Sequence, residues 1–334
     1  MSRGFVTGGT WCLDRNLSVP YWPAEDMSAP VLEVELSGGG CGCNFACDLR
    51  RLDPGVPVST IGLLGDDEAG RFLRQVAAEH GVDHRRLRVR AGASSQVTDA
   101  YHVTTTGRRT HMLFAGTASW LCPDDFEFTP GEARYAHIGL PGIHPRMDAA
   151  WGEDANGWVT VLRAAQAAGL HTNLELVTVP APRLRELVLP CLPHLDSLVV
   201  NDYEIGALAE VQTVLGEHTF EDACWQAARQ VMAAGRMSVL VVHFTQGALL
   251  LTREGLALRQ GSVRVPLDAH HGANGAGDAF AAGFFLGLHR GDDWQHCLRL
   301  GHAAAAACLQ SPSPSGGVRP WSECLAQADA WGWR

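Results

Sequence analysis

Short apolar runs alternate with longer helical patterns along most of this chain, and this alternation limits the possible folds more than any other feature. Buried-strand patterns occur at residues 5–9, 57–65, 133–140, 197–201 and 237–244. Helical patterns separate several of them, for example at residues 66–81 and from about 154 to 168. Strands that alternate with helices pair in parallel and carry helices on both faces of the sheet. The sequence therefore predicts an α/β fold with a mostly parallel central sheet.

Two β-rich segments interrupt the alternation, at approximately residues 11–36 and 96–117. The second has the pattern of two strands around Gly107 with no helix between them. Open parallel sheets bind their ligands at the carboxyl ends of the strands, so we expect these segments to form a small lid over that edge. We predict a single domain over residues 1–334, whose last helix covers residues 294–310.

Composition excludes several classes of function. The formal net charge of −10 makes nucleic acid an unfavourable partner. All 26 basic residues are arginine, so chemistry that needs a lysine, such as a Schiff base or a phosphate-loop lysine, is excluded. No window approaches the ~18 consecutive apolar residues of a membrane span, and the opening residues lack a signal-peptide pattern. We therefore expect a cytoplasmic protein with reduced thiols and no membrane partner.

The strongest candidate for chemistry is the segment Gly275-Ala276-Gly277-Asp278, which opens an apolar helical pattern. Small residues at the start of a helix leave backbone N–H groups free to bind an anion such as phosphate. Asp278 falls in the first helical turn, where it could accept a proton from a hydroxyl that attacks that phosphate. The alternative is structural: glycine and alanine allow close packing, and Asp278 complements the helix dipole.

The sequence NGAGDAFAAGF around this segment resembles the carboxyl-terminal signature of the ribokinase/PfkB family of sugar kinases. The resemblance implies a ribokinase-like three-layer α/β/α sandwich with a small β-rich lid. It also implies an ATP-dependent phosphotransferase that uses Mg²⁺ and acts on a hydroxyl of a small sugar or sugar-like molecule. In that family the aspartate matching Asp278 is the catalytic base, and the amides of Gly275, Ala276 and Gly277 form the anion hole.

Further segments agree with the resemblance. The loop from Gly39 to Asn44 is similar to the family's sugar-binding loop, and Asn201-Asp202-Tyr203-Glu204 matches its Asn-x-x-Glu motif. In the family, the glutamate organises magnesium through water. The resemblance thus implies acceptor-binding and nucleotide-binding sets, which are Asp14, Gly39, Gly40 and Asn44 for the acceptor, and Asn201, Glu204, Thr245, Gly247 and His302 for the nucleotide.

The chain also departs from the family pattern. Gly272 and Ala273 stand where many members have an Asp-Thr pair associated with a monovalent cation, which favours activity that does not depend on potassium. His243 stands at a position often held by lysine, and the following loop is about one residue short. These departures concern the nucleotide side of the site.

Alternatives remain open from the sequence alone. A nucleoside kinase of the same fold and a non-catalytic sugar-binding regulator both fit the motifs. Arg108 and Arg109 could close over an anionic substrate or form a solvated turn, and a metal cluster at Cys41, Cys43 and Cys47 lacks a clear fourth ligand. An edge of the lid offers a surface for a homodimer through β-pairing.

Overall fold

The computed structural model describes residues 3–106 and 108–334. Its strands are β1 (Gly4–Gly9), β2 (Cys12–Val19), β3 (Glu33–Gly39), β4 (Val58–Gly65), β5 (Asp83–Arg90), β6 (Gln96–Val103), β7 (Arg109–Phe114), β8 (Ala133–Gly139), β9 (His171–Leu174), β10 (Ser197–Asn201), β11 (Val214–Leu215), β12 (His218–Thr219), β13 (Val239–Phe244), β14 (Gly247–Thr252) and β15 (Ala257–Gly261). Its α-helices are α1 (Cys41–Leu52), α2 (Glu68–Glu79), α3 (Pro145–Asp148), α4 (Gly157–Ala167), α5 (Ala181–Val188), α6 (Asp202–Ala209), α7 (Glu221–Ala234), α8 (Ala276–Arg290), α9 (Trp294–Cys308) and α10 (Trp321–Trp331).

The central sheet has nine strands in the order β15-β14-β13-β10-β9-β8-β1-β4-β5. The seven strands from β13 to β5 pair in parallel, whereas β14 and β15 form an antiparallel extension at one edge. Parallel strands need a long crossover connection, and here most of those connections are helices. The predicted mostly parallel sheet is therefore confirmed.

Helices cover both faces of this sheet and enclose two hydrophobic cores. Strand β13 contributes to both cores, because its residues alternate between the two faces of the sheet. Val239 and Val241 belong to the core under α1, α2 and α8–α10, while Leu240 and Val242 belong to the core under α3–α7. A strand buried on both faces reads as a continuous apolar run, as β13 does.

A separate four-stranded sheet has the order β3-β2-β6-β7. We call it the lid sheet. Strand β2 pairs in parallel with β6, and the edge pairs β2–β3 and β6–β7 are antiparallel. The two sequence segments with β-rich patterns meet here, although β3 continues to Gly39, beyond the expected limit at residue 36. The turn residue Gly107 lies outside the described residues.

Two sequence predictions need correction. The last helix is α10 (Trp321–Trp331), not the one at 294–310, because Cys324 and Ala328 give α10 a buried stripe against the core. The helix expected from about 154 begins at Gly157, since the Asn156 side chain caps it by accepting a hydrogen bond from the Val159 N–H. Among the described residues, no helix combines the length and apolar composition needed to cross a bilayer.

Candidate active site

Two cavities adjoin at the amino terminus of α8. The first, here called the lid cavity, has a volume of about 560 Å³ and lies between the lid sheet and the parallel sheet. The second, here called the C-terminal cavity, has a volume of about 530 Å³ and is bounded by β13, α8 and α9. The residues that line both are Asn201, His243, Ala273, Ala276 and Gly277.

The turn before α8 has a backbone that suits glycine. Gly275 is the residue that precedes the helix, and its φ of 79° lies in the left-handed region. A Cβ at this position would also lie 2.5 Å from the Pro314 carbonyl oxygen. The helix then starts at Ala276, whose N–H makes only a long 3.4 Å hydrogen bond to the Ala273 carbonyl. Because Ala276 and Gly277 line both cavities, the first residues of α8, where an anion hole is predicted, lie at their junction.

Asp278 lines the lid cavity at the first turn of α8. Its Oδ2 accepts a hydrogen bond of 2.9 Å from Asn44 Nδ2. This contact forms because α1, which carries Asn44, packs against α8. Burial raises the pKa of Asp278 to about 6. The hydrogen bond from Asn44 lowers this pKa, whereas the charge of Asp14 raises it. A carboxyl with that pKa is largely ionised at pH 7 yet still basic enough to accept a proton.

Asp14 and Gly40 also line the lid cavity. Asp14, on β2, accepts weak hydrogen bonds from Cys12 Sγ at 3.2 Å and from Asn274 Nδ2 at 3.5 Å. Burial raises its pKa to about 6. Gly40 has a φ of 86° and precedes α1, so this glycine loop, like the turn before α8, leads directly into a helix.

Gly39 does not line either cavity. It ends β3 opposite Cys12, and a Cβ on it would fall 2.2 Å from Asp14 Oδ2. Gly39 therefore lies next to the Asp14 carboxyl, and its lack of a side chain leaves room for that carboxyl.

Asn201 and Glu204 join β10 to α6 as a reciprocal cap. Asn201 Oδ1 accepts from the Glu204 N–H at 2.8 Å, and Glu204 Oε2 accepts from the Asn201 N–H at 3.0 Å. Both residues line the lid cavity. Burial raises the pKa of Glu204 to about 7. The Asn-x-x-Glu motif thus has a structural role in capping the helix while its carboxylate borders the cavity.

Glu175 was missed by sequence reasoning. It follows β9 directly and lines the lid cavity. Burial raises its pKa well above the usual range, and the charges of Asp278 and Glu204 raise it further. Its Oε2 is 3.3 Å from His137 Nε2 but makes no hydrogen bond with good geometry. The available signal was its position, since polar residues at the carboxyl ends of parallel strands border the binding site.

These carboxylates fit a divalent cation held partly through water. The charges of Asp278 and Glu204 raise the pKa of Glu175, and the charge of Asp278 also raises the pKa of Glu204. The Glu175 oxygen that has no hydrogen-bond partner in the described structure offers a hard ligand. Mg²⁺ usually binds through one or two carboxylates together with substrate phosphates. Within residues 3–106 and 108–334, no cluster of three or more His, Cys, Asp or Glu side chains is arranged to hold a metal ion by itself.

Of the residues expected to contact the nucleotide, Thr245 and His302 line the C-terminal cavity. Thr245 lies in the turn between β13 and β14, and His302 lies on α9. Burial lowers the pKa of His302 to about 3, so its imidazole is neutral, and it packs edge-on against Phe280 at 5.0 Å. Gly247 lines neither cavity. It opens β14, where a Cβ would meet the Gln260 carbonyl oxygen at 2.5 Å.

Comparisons with known proteins show the family to which the chain belongs. A family model described as pfkB family carbohydrate kinase matches residues 12–320. The chain is 28% identical to the aminoimidazole riboside kinase of Salmonella typhimurium over 265 residues, covering 78% of this chain and 76% of that protein. It is 25% identical to the 5-dehydro-2-deoxygluconokinase of Shouchella clausii over 325 residues, covering 95% and 93%.

The fold is also similar to solved structures. Ribokinase of Arabidopsis thaliana, complexed with ribose and ATP, superposes with a TM-score of 0.79 at 20% identity, covering 98% of this chain and 99% of that chain. Phosphofructokinase-2 of Escherichia coli, in complex with potassium, superposes with a TM-score of 0.75 at 19% identity and 99% coverage of both chains. The ribokinase-like three-layer sandwich implied by the motifs is confirmed. Since the family model spans nearly the whole sequence, the chain belongs to the pfkB family of carbohydrate kinases and is an ATP-dependent phosphotransferase with an alcohol group as acceptor.

Proposed function

We propose that this kinase binds a small sugar or sugar-like acceptor in the lid cavity and ATP in the C-terminal cavity, and that transfer occurs at the amino terminus of α8. The observation that carries the proposal is the junction of the two cavities. Ala276 and Gly277 line both of them, and Asp278 follows within the same helical turn. A phosphoryl group that passes from one cavity to the other would cross these amides.

In this proposal Asp278 is the catalytic base. It accepts the proton of the acceptor hydroxyl as that hydroxyl attacks the γ-phosphorus of ATP and the bond to the ADP oxygen breaks. The hydrogen bond from Asn44 holds one carboxylate oxygen at 2.9 Å, which leaves the other for the hydroxyl. The amides of Gly275, Ala276 and Gly277 stabilise charge on the transferring group, which is the main contribution that a protein makes to phosphoryl transfer.

Asp14, Gly40 and Asn44 are proposed to hold the acceptor hydroxyls. Asn44 is buried, and its Oδ1 has no hydrogen-bond partner among the described residues. A buried acceptor atom without a donor is costly, so a ligand hydroxyl would satisfy it. The lid sheet adds Gln96 and Thr98 to the same wall. We propose that the lid closes on the acceptor and excludes water that would compete for the phosphoryl group.

Glu204, joined by Glu175, is proposed to hold Mg²⁺ through water. When bound there, the ion would neutralise charge on the ATP phosphates. Thr245 and His302 are proposed to contact the nucleotide. Gly247, at the start of β14, is proposed instead to leave room for the Gln260 carbonyl oxygen beside the β13–β14 turn. Gly272 and Ala273 supply no side-chain oxygen, so we propose that activity does not require potassium.

Asp278→Asn tests the catalytic assignment. We expect kcat to fall by ~10²–10⁴-fold while acceptor binding, measured by calorimetry, persists. Asp222→Asn is the matched control, because Asp222 is an exposed aspartate in the first turn of α7, and its kcat should be unchanged. The assay is ADP release with ATP and Mg²⁺ across pentoses, hexoses and nucleosides, with and without potassium. Wild-type turnover by Asp278→Asn contradicts the assignment; sugar binding without turnover in the wild type supports the regulator alternative.

We further propose that two copies of the chain associate through the lid sheet. The edge strands β3 and β7 expose apolar side chains on the face turned away from the cavity, where Val34 is 54% exposed and Phe114 is 57% exposed. Burial of such a patch against its own copy would form a two-fold interface. Light scattering should give twice the monomer mass for the wild type and the monomer mass for Phe114→Glu. A monomeric wild type contradicts the proposal.

All ten cysteines are free and buried. Together with the use of ATP, this supports the cytoplasm as the proposed site of action.

A further inference from the structure

His243 lies where the lid cavity and the C-terminal cavity meet. The residues that line both cavities are Asn201, His243, Ala273, Ala276 and Gly277. The glycine and the alanines have no polar side chain, and the side-chain oxygen of Asn201 already caps α6 by accepting from the Glu204 N–H. His243 therefore brings a polar ring to the path that a phosphoryl group would follow from one cavity to the other.

The register of the central sheet explains why this histidine is directed toward α8. Residues of β13 alternate between the two faces of the sheet, and His243 follows Val239 and Val241 on the face that packs against α8. It also lies opposite Asn201, at the carboxyl end of the neighbouring parallel strand β10. An apolar strand thus places an imidazole at the edge where parallel sheets bind their ligands.

The imidazole lies against the first two turns of α8. Its ring packs on Phe280 with the two centroids 5.0 Å apart and the planes inclined by 32°. The Cε1–Nε2 edge lies beside Gly277, since a Cβ built on that glycine would be 3.5 Å from Cε1 and 3.8 Å from Nε2. Within residues 3–106 and 108–334, neither ring nitrogen of His243 has a hydrogen-bond partner. The ring is therefore held next to the proposed anion hole with its polar atoms available to a ligand.

Burial keeps His243 in its neutral form. It lowers the pKa of the imidazole to about 4, so at pH 7 the ring is uncharged and carries one N–H group. A neutral ring does not act as a positive charge, but it can donate one hydrogen bond to a phosphoryl oxygen. A donor fixed at the place where charge develops stabilises a transition state without having to reorganise.

We propose that His243 is a catalytic residue whose N–H donates a hydrogen bond to an oxygen of the γ-phosphoryl group during transfer. This inference rests on the proposed function, because it places transfer at the junction of the cavities. The acceptor hydroxyl gives its proton to Asp278 as its oxygen bonds to the γ-phosphorus, and the bond from that phosphorus to the ADP oxygen breaks. His243 keeps its proton throughout. Its hydrogen bond adds to those of the α8 amides.

Two substitutions separate the hydrogen bond from the packing of the ring. His243→Phe keeps a ring against Phe280 but removes the N–H, whereas His243→Gln restores an N–H donor without the ring. With the acceptor identified by the ADP-release assay, we expect kcat of His243→Phe to fall ~10²-fold while the KM for ATP stays within about 3-fold. His243→Gln should recover at least about 10-fold of that loss. Wild-type kcat in His243→Phe, or a lower kcat in His243→Gln than in His243→Phe, overturns the inference.

His289→Phe is the matched control for loss of an imidazole that packs on an aromatic ring. His289 is on α8, its ring centroid is 5.3 Å from that of Phe5, and it lines neither cavity. This variant should keep the kcat of the wild type. Equal losses of kcat in His289→Phe and His243→Phe would show a general effect of packing on α8 and overturn the inference.

A measurement without an acceptor distinguishes this inference from the proposed function. Aluminium fluoride, added with ADP and Mg²⁺, serves as a mimic of the transferring phosphoryl group. Calorimetry should show that His243→Phe binds ADP as the wild type does but loses ~10-fold or more of the affinity that aluminium fluoride adds. An added affinity that is absent from the wild type, or unchanged in His243→Phe, overturns the inference. If the wild type phosphorylates no acceptor, the proposed function fails, and this measurement alone decides the role of His243.

Discussion

Gly275→Ala is the most informative single change, because it alters the backbone on which the proposed anion hole depends. Gly275 has a φ of 79°, and alanine in this left-handed region costs ~1–2 kcal/mol. A Cβ would also lie 2.5 Å from the Pro314 carbonyl oxygen and 2.7 Å from Pro314 Cβ. Real Cβ atoms do not approach so closely, so either the turn or the Pro314 segment must move.

Gly291→Ala separates the two effects. Gly291 ends the same helix with a φ of 81°, and a Cβ there would meet no atom within 4 Å. The control thus has the same left-handed cost without the contact. We expect Gly291→Ala to lower the free energy of unfolding by ~1–2 kcal/mol and Gly275→Ala by ~2–5 kcal/mol, since overpacking adds ~1–3 kcal/mol.

Activity should separate the variants more clearly than stability. A displacement of about 1 Å in groups that hold a reacting atom can lower the rate ~10²-fold, so Gly275→Ala should lose at least that much kcat/KM, while Gly291→Ala keeps the wild-type value. Urea unfolding and the ADP-release assay measure the two quantities. If Gly275→Ala retains kcat/KM within about 3-fold, the reasoning about the anion hole is refuted. Equal destabilisation of the two variants refutes the Pro314 contact.

Three further predictions concern the carboxylates. The kcat/KM of the wild type should rise with pH and level off above about pH 7, because Asp278 must be ionised and its pKa is about 6; a flat profile between pH 5 and 7 contradicts the role of this group. Asp278→Asn should be more stable than the wild type by ~1–3 kcal/mol at pH 8 and show no gain near pH 3. The pKa of Asp278 is higher in the folded protein than in the unfolded chain, so the wild type is most stable below about pH 4, where this carboxyl is protonated, and loses that stability as the pH rises through 6. Urea unfolding at pH 3 and pH 8 measures the difference between the variant and the wild type. Glu175→Gln should weaken Mg²⁺ binding to the ADP complex ~10-fold or more by calorimetry, whereas Glu153→Gln, an exposed control, should leave it unchanged.

Local sequence signals identified the parts of the fold that local physics determines. The alternation of apolar runs and helical patterns indicated the parallel sheet, and the small residues before Asp278 indicated a helix amino terminus open to an anion. Strand β5 and helix α10 were not recognised. Strand β5 is rich in arginine, with Leu87 as its one fully buried side chain, so its apolar pattern is weak. Helix α10 follows a proline- and serine-rich loop and buries only a narrow stripe.

Glycines in the motifs show a limit of sequence reasoning at the site. The family resemblance implied that Gly39, Gly40 and Gly247 bind ligands, and a glycine in a loop does indicate that a backbone or a ligand comes close. Only Gly40 borders a cavity. At Gly39 the close neighbour is the Asp14 carboxyl, and at Gly247 it is the Gln260 carbonyl. The sequence indicates the close approach but not which group approaches.

Glu175 shows the complementary limit. Asp278 could be found because its neighbours in sequence are also its neighbours at the site. The raised pKa of Glu175 depends in part on the charges of Asp278 and Glu204. These two residues lie near Glu175 only after β9, β10 and α8 have assembled. A single glutamate after a short strand gives no such signal. Electrostatic coupling is therefore the property of this site that depends most on tertiary structure, and the pH and Glu175→Gln experiments test that property directly.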